Sequence, residues 1–266
     1  MFKKNLAVLT FILASVFFTK NSFANSLEIS TGMLHFDYQE FDTSEKLLNK
    51  ETGFIPGIGF KYSTAYKHTG ITAFVSIHDG QIDYMGHTQS GLPHNTKTNE
   101  RLIKSGILLT SRKHPDFPAR LLFSVAFQFW DRDILTKNNV HGLHEQYTWY
   151  EYSLGLNFQQ DISADTYYWA NTSALLIYQP EITVLLQDGN KTLNIGEHIG
   201  IRLQAGKTWL MNSKNTLSAS ITSEFFEFGR SNTIYTNNFF GSPAFITEPQ
   251  SKSFHNTIEI SYTFNF

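Results

Sequence analysis

From residue 253 onward the chain reads SFHNTIEISYTFNF, with Ile258, Ile260, Tyr262, Phe264 and Phe266 on one parity and Thr257, Glu259, Ser261, Thr263 and Asn265 on the other. A period of two is that of a strand with one apolar and one polar face. The same period recurs along the chain and predicts ten strands, at about 27–41, 55–66, 70–84, 100–112, 119–134, 145–160, 166–185, 192–210, 216–230 and 253–266. In the second, Ile58, Phe60 and Tyr62 oppose Gly57, Gly59, Lys61 and Ser63; in the fifth, Leu121, Phe123, Val125, Phe127 and Phe129 oppose Ser124, Ala126 and Gln128. Ile199, Ile201 and Leu203 oppose His198, Arg202 and Gln204, and Leu217, Ala219, Ile221 and Phe225 oppose Ser218, Ser220, Thr222 and Glu224. The parity slips near Gly32 and again at His78–Gly80, where bulges or strand ends are expected. Around Gln179 and Pro180 the alternation is ambiguous, which leaves eight or twelve strands as alternatives to ten.

The connections alternate in length. KHTG (67–70), HPDFP (114–118), ISAD (162–165) and NSKN (212–215) are tight; 42–54, 85–99, 135–144 and 231–252 are longer, and QDGNK at 187–191 is brief. Antiparallel strands running up and down place short turns at one end and long loops at the other, and an even strand count returns both termini to the short-turn end. Alternation alone also suits a water-soluble sandwich. The aromatic residues separate the two: Tyr62, Tyr66, Phe158, Tyr168, Trp209, Phe264 and Phe266 fall near the short turns, and Phe127, Phe129, Tyr150, Tyr152 and Phe225 near the long loops. Two such girdles are what the two interfaces of a bilayer select.

Lys3 and Lys4 precede an apolar run from Leu6 to Phe18, and Ser22 and Ala24 occupy the minus-three and minus-one positions of a cut before Asn25. This is the pattern of a secretory signal peptide, the run being shorter than the ~20 residues of a spanning helix. The expected organisation is a leader at 1–24 and one barrel domain at 25–266. Removing the leader takes away three lysines and no acid, moving the formal charge of -2 further negative, so no nucleic-acid partner is expected. With no cysteine, disulfides, thiol catalysis, thiolate metal sites and a lipidated cysteine are excluded.

The C-terminal stretch resembles the terminal assembly signal of bacterial outer-membrane β-barrels, carried here by Ile258, Ile260, Tyr262, Phe264 and Phe266. The resemblance implies an all-β, antiparallel up-and-down transmembrane barrel in a Gram-negative outer membrane, exported through the cleaved leader. It also implies delivery to the barrel assembly machinery, contact with outer-membrane lipid and lipopolysaccharide, and closure of the sheet by pairing of the last strand with the first.

Inward-facing polar positions then place Lys61, Lys104 and Arg202 with Glu151, Glu224 and Glu259 in the lumen, beside Gln128, Asn157, Asn171 and Gln204. A barrel of this size is largely filled by side chains, so a charge-paired interior that holds the barrel shape is expected over an ion path. Gly155, Gly200 and Gly206 would leave room for a narrow pore. None of the histidines is followed two residues later by serine, the pair that outer-membrane phospholipases and deacylases carry on a strand. Asp131 and Asp133, with His141 and His144, are a loose parallel to the omptin proteases, whose acid and acid-histidine sequences are missing; they read as rim charges, and no enzyme activity is expected. His87, His94, His141 and His144 could converge on a metal only if two loops met; solvated loop histidines are the simpler reading, and no metal or cofactor is expected. The expected function is a small porin-like or structural outer-membrane protein, passing or holding a small solute, with a surface adhesin or ligand-binding barrel acting through its loops as the alternative.

Overall fold

The computed structural model describes residues 25–66, 68–87, 91–112, 117–186, 189–237 and 243–266; the expected leader, part of the connection 114–118 and part of 187–191 lie outside them. The long strands are β1 (Ser26–Phe41), β2 (Leu47–Tyr66), β3 (Thr69–His87), β4 (Pro93–Ser111), β5 (Ala119–Ile134), β6 (Leu143–Ser163) and β7 (Thr166–Leu185). A short β8 (Lys191–Asn194) precedes β9 (His198–Leu210) and β10 (Asn215–Phe228); a hairpin of β11 (Ile234–Asn237) and β12 (Pro243–Ile246) leads into β13 (Gln250–Asn265). Each long strand pairs antiparallel with the next, and β7 pairs with β9 below and with β8 above, so β8 prolongs β9 across an interruption at residues 195–197. β13 pairs with β1 along its whole length, from Ser26↔Asn265 to Phe41↔Gln250. The result is a closed ten-strand up-and-down barrel, with no sheet edge left to expose unpaired backbone groups.

Two media act on its outer wall. Ile29 and Met33 on β1, Phe54, Ile58 and Phe60 on β2, Leu121 and Phe123 on β5, Leu154 and Phe158 on β6, Ile199, Ile201 and Leu203 on β9, and Ile258 and Ile260 on β13 all point outward and are exposed. They form one continuous apolar belt at the short-turn end, flanked by the aromatic girdles. A spanning strand needs ~9–11 residues, yet β2 has 20 and β6 has 21. The strands therefore rise well beyond the belt at the long-loop end. There the outer wall turns polar, with ion pairs Lys50–Asp37 at 2.7 Å, Lys97–Asp83 at 2.6 Å and Arg101–Asp79 at 2.6 Å. Much of the predicted loops 42–54 and 85–99 is consequently strand.

The inner wall inverts at the same height. On β1 the inward residues run Glu28, Ser30, Gly32 and then Leu34, Phe36, Tyr38; on β3 they run Thr72, Phe74, Ser76, His78, Gly80 and then Ile82, Tyr84. The bulges expected near Gly32 and His78–Gly80 are absent. Register is unbroken through Gly32↔Gly57 and through Asp79↔Arg101 and Gly80↔Glu100, and β2 and β3 keep one register on either side of a gap in their pairing at 53–56 opposite 79–82. The apolar residues change parity there because the apolar medium changes sides, from lipid outside to packed side chains inside. Of the three places where the alternation falters, Gln179, with φ 49°, is the one where the chain slips, and the register of β6 against β7 shifts between Thr148 and Tyr150. That bulge keeps Ile182 and Val184 facing inward, 0% and 2% exposed.

Candidate functional site

Below the inversion the interior is a polar cup of about 740 Å³ that reaches the short-turn ends of the strands, where Glu28, Ser63, Thr263 and Asn265 line it. The six lumen charges expected from sequence fall into two separate groups. Lys61 Nζ lies 2.7 Å from Glu28 Oε1 and 3.7 Å from Glu259 Oε1. Lys104 Nζ lies 2.9 Å from Glu151 and 3.6 Å from Glu224, and Arg202 joins the same two carboxylates at 2.6 and 2.7 Å. Gln128 donates a further bond to Glu151 at 2.6 Å. A ladder of amides, Asn157 to Asn171 at 2.7 Å and Asn171 to Gln204 at 2.9 Å, crosses three strands. The room expected at Gly200 and Gly206 is taken: Phe226 packs against Gly200 and the Trp169 indole lies over Gly206, while Gly155 sits against Ser173.

Above the cup the lumen is filled. Phe36, Ile55, Trp130, Trp149, Phe226 and Phe228 come from five strands and form one buried cluster, with Trp149 meeting Phe228 edge-on at 5.2 Å and Phe36 meeting Trp130 at 5.5 Å. Among the described residues these side chains form a plug across the barrel.

On top of the plug lies a buried ionic chamber that sequence reasoning missed. Arg132 of β5, 2% exposed, holds Glu40 of β1 at 2.9 Å, Glu51 of β2 at 2.8 Å and Glu145 of β6 at 2.6 Å. Its guanidinium lies over the Tyr38 ring at 5.1 Å, and Trp130 stacks on Tyr147 at 4.3 Å. Glu100 of β4 accepts from the Trp130 indole, and Thr98 donates to Glu51 at 3.3 Å. The roof is Glu248, between β12 and β13, which accepts from the Tyr147 hydroxyl at 2.7 Å and from Tyr38 at 3.3 Å. Burial, reinforced by Glu51, pushes the Glu100 carboxyl well above the usual carboxylate range; burial, reinforced by Glu40 and Glu145, does the same to Glu248. Five carboxyls thus surround one guanidinium in a place sealed from water. The signal was present as Tyr38-x-Glu40, Trp130-x-Arg132 and Glu145-x-Tyr147-x-Trp149, an ionisable residue sharing parity with bulky aromatics.

The remaining sequence candidates are not brought together. Asp131 and His144 pair at 2.9 Å on the outer face of β5 and β6, with Gln146 on the same carboxylate. Asp133 meets Asn99 there, His87 is exposed near Leu48, and His94 is buried inside against Tyr84. Among the described residues no group of three or more histidines or acids is arranged to hold a metal. The terminal-strand residues Ile258, Ile260 and Phe264 face outward on the strand that closes the barrel, and Phe266, also exposed, follows its last residue.

The architecture is that of a Gram-negative outer-membrane β-barrel. No protein-family model and no curated protein sequence matches the chain. Among solved structures it is similar to the outer membrane protease OmpT from Escherichia coli, with a TM-score of 0.58 and 8% identity over 93% of this chain and 99% of that one. The Pseudomonas putida toluene transporter TodX matches with a TM-score of 0.39 and 10% identity, over 91% and 90% of the two chains. Neisserial surface protein A matches with a TM-score of 0.37 and 9% identity, over 90% and 97%. At such identities the likeness is one of fold.

Proposed function

We propose that this protein is a non-conducting outer-membrane barrel that works at the cell surface, holding a rigid polar rim and the β11–β12 hairpin clear of the lipid as a binding platform. The observation that carries this reading is the plug. Phe36, Trp130, Trp149, Phe226 and Phe228 are each at most 2% exposed, and a wall of interlocked rings passes neither ions nor solutes. The platform is favoured over a purely structural role by the hairpin, which holds Tyr235 and Phe245 as a T-shaped pair 5.4 Å apart, 62% and 68% exposed. Paired exposed rings of this kind are common anchors at interfaces. A protease reading by analogy with OmpT lacks support from Asp131 and His144, since that pair faces away from the barrel mouth. The test is planar-bilayer recording of the purified barrel: no stepwise conductance is expected at any salt concentration. Stable steps whose size scales with salt would overturn the reading and restore a pore.

A further inference from the structure

Glu40, Glu51, Glu100, Glu145 and Glu248 share the chamber with Arg132, which contacts Glu40, Glu51 and Glu145, and all six residues are between 0% and 6% exposed. An uncompensated carboxylate in such a place costs several kcal/mol, so five ionised groups around one guanidinium cannot persist. Arg132 and Asn49 satisfy Glu40, and Arg132 satisfies Glu145. Glu51 Oε2 and Glu100 Oε1 are buried without a hydrogen-bond donor, and the Glu51 carboxyl is close enough to raise the proton affinity of Glu100. Something must lie between them. Calcium takes 6–8 oxygens, far more than these two atoms supply; a single proton suits a facing pair of carboxyls.

Glu248 differs from the other four in its place in the chain. It stands at the foot of the hairpin stem, where its backbone N–H donates to Ser231 Oγ at 2.7 Å and its carbonyl accepts from the Ser231 N–H at 3.0 Å. Ile234 and Ile246 of the same stem pack on the plug below. The groups that face its side chain are Tyr38 and Glu40 from β1, Arg132 from β5, and Glu145 and Tyr147 from β6. Two of these are carboxylates already claimed by Arg132. The Tyr147 and Tyr38 hydroxyls both point at a single oxygen of Glu248.

We propose that bound protons neutralise this chamber, one shared by Glu51 and Glu100 and one carried by Glu248, and that the Glu248 proton latches the hairpin stem to the barrel mouth, so that the stem loosens as pH rises. The sign follows from burial among like charges. A carboxyl whose affinity for protons is higher in the latched than in the free state strengthens the latch fully below its free pKa, and that contribution is lost as pH climbs through the latched value. Burial, with Glu40 and Glu145 alongside, raises the latched value of Glu248. The platform is then held closed in acid surroundings and freed toward neutral and alkaline pH.

The test uses the full chain in lipid nanodiscs and hydrogen–deuterium exchange of peptides covering 229–237 and 243–250, expressed as protection factors corrected for the intrinsic exchange rate. Wild type is expected to lose protection there by about tenfold or more between about pH 5.5 and 8.5, while belt peptides of β5 stay unchanged. Glu248→Gln, a neutral isostere that keeps both tyrosine bonds, is expected to stay protected across the range. Glu40→Gln removes a neighbouring carboxylate and is expected to move the wild-type midpoint to lower pH, which provides a second reading if the first variant fails to fold. Protection independent of pH in wild type, the same pH loss in Glu248→Gln, or an unmoved midpoint in Glu40→Gln would each overturn the latch. Calcium chloride added at the upper pH is expected to leave exchange unchanged; restored protection would replace the proton by a metal ion and overturn the proposal.

Discussion

The two halves of this barrel are made from the same strands and are built inside out with respect to one another. Near the short turns Leu154 and Ile258 face outward at 63% and 64% exposure while Glu151 and Glu259 face inward. A few residues higher, on the same parities of the same sheet, Trp149 and Tyr147 face inward while Thr148 and His144 face outward. The ladder between β5 and β6 is continuous through this stretch. What changes is the solvent: hydrocarbon against the outer wall below, water above. Apolar side chains take whichever face is away from water, so where lipid ends the apolar face moves indoors and the lumen closes. A plug requires no inserted helix or loop, only an inversion of polarity along strands too long for their membrane.

The comparison breaks most visibly at Arg132, whose charge is what the upper interior cannot lose. Replacing it with methionine leaves Glu40, Glu51 and Glu145 buried without the cation that pairs with them among the described residues. Breaking a buried ionic cluster from one side costs ~3–5 kcal/mol. Urea unfolding of Arg132→Met in lipid vesicles, followed by tryptophan fluorescence, is expected to show that loss at neutral pH. Part of it should return near pH 5, where the abandoned carboxyls take up protons. A variant as stable as wild type at neutral pH would mean that the chamber is open to water.

A smaller effect measures where the inversion falls. Leu154→Arg places a charge in the middle of the outer belt and is expected to cost ~2–4 kcal/mol in the same unfolding assay. Gln81→Arg puts the same side chain on an outward position of β3 above the belt, between Asp79 and Asp83, where Gln81 makes only an exposed bond to Asn99 at 2.9 Å. There the change is expected to stay within ~0.5 kcal/mol. Equal costs at the two positions would show that one medium surrounds the whole barrel.

The lower half was legible in the sequence because a single rule governs it. Apolar residues on one parity, small and polar ones on the other, and rings at both rims give the strands, the up-and-down order and the inward set containing Lys61, Lys104 and Arg202. The same rule misread the upper half. Leu34, Phe36 and Tyr38 sit on the opposite parity from Ile29 and Met33, and a period-two pattern records which residues share a face but not which medium that face meets. A change of medium and a one-residue bulge leave the same trace; only at Gln179 is the trace a bulge. Glu51, Glu100 and Glu248 escaped notice for a related reason. Polar residues near strand ends read as loop, and Glu51 and Glu248 fell within predicted loops 42–54 and 231–252, although the strands continue far enough to carry Glu51 inward.

Another small effect is expected one peptide bond from the buried ionic chamber. His144 and Glu145 are neighbours in β6, but Glu145 points in to Arg132 at 2.6 Å while His144 points out to Asp131 at 2.9 Å. The inner pair is sealed. The outer pair has side chains 36% and 25% exposed, so water and salt screen it and two side chains lose freedom in making it; such pairs contribute at most ~1 kcal/mol. Asp131→Asn keeps the size of the side chain and can still accept from Gln146, so its unfolding free energy is expected to fall by no more than that amount, and by less in high salt. The hairpin's exchange should also keep its wild-type pH dependence, because the β-sheet wall stands between Asp131 and the chamber. A loss as large as that of Arg132→Met would place Asp131 in a dry environment, and the outer wall above the belt could then no longer be facing water.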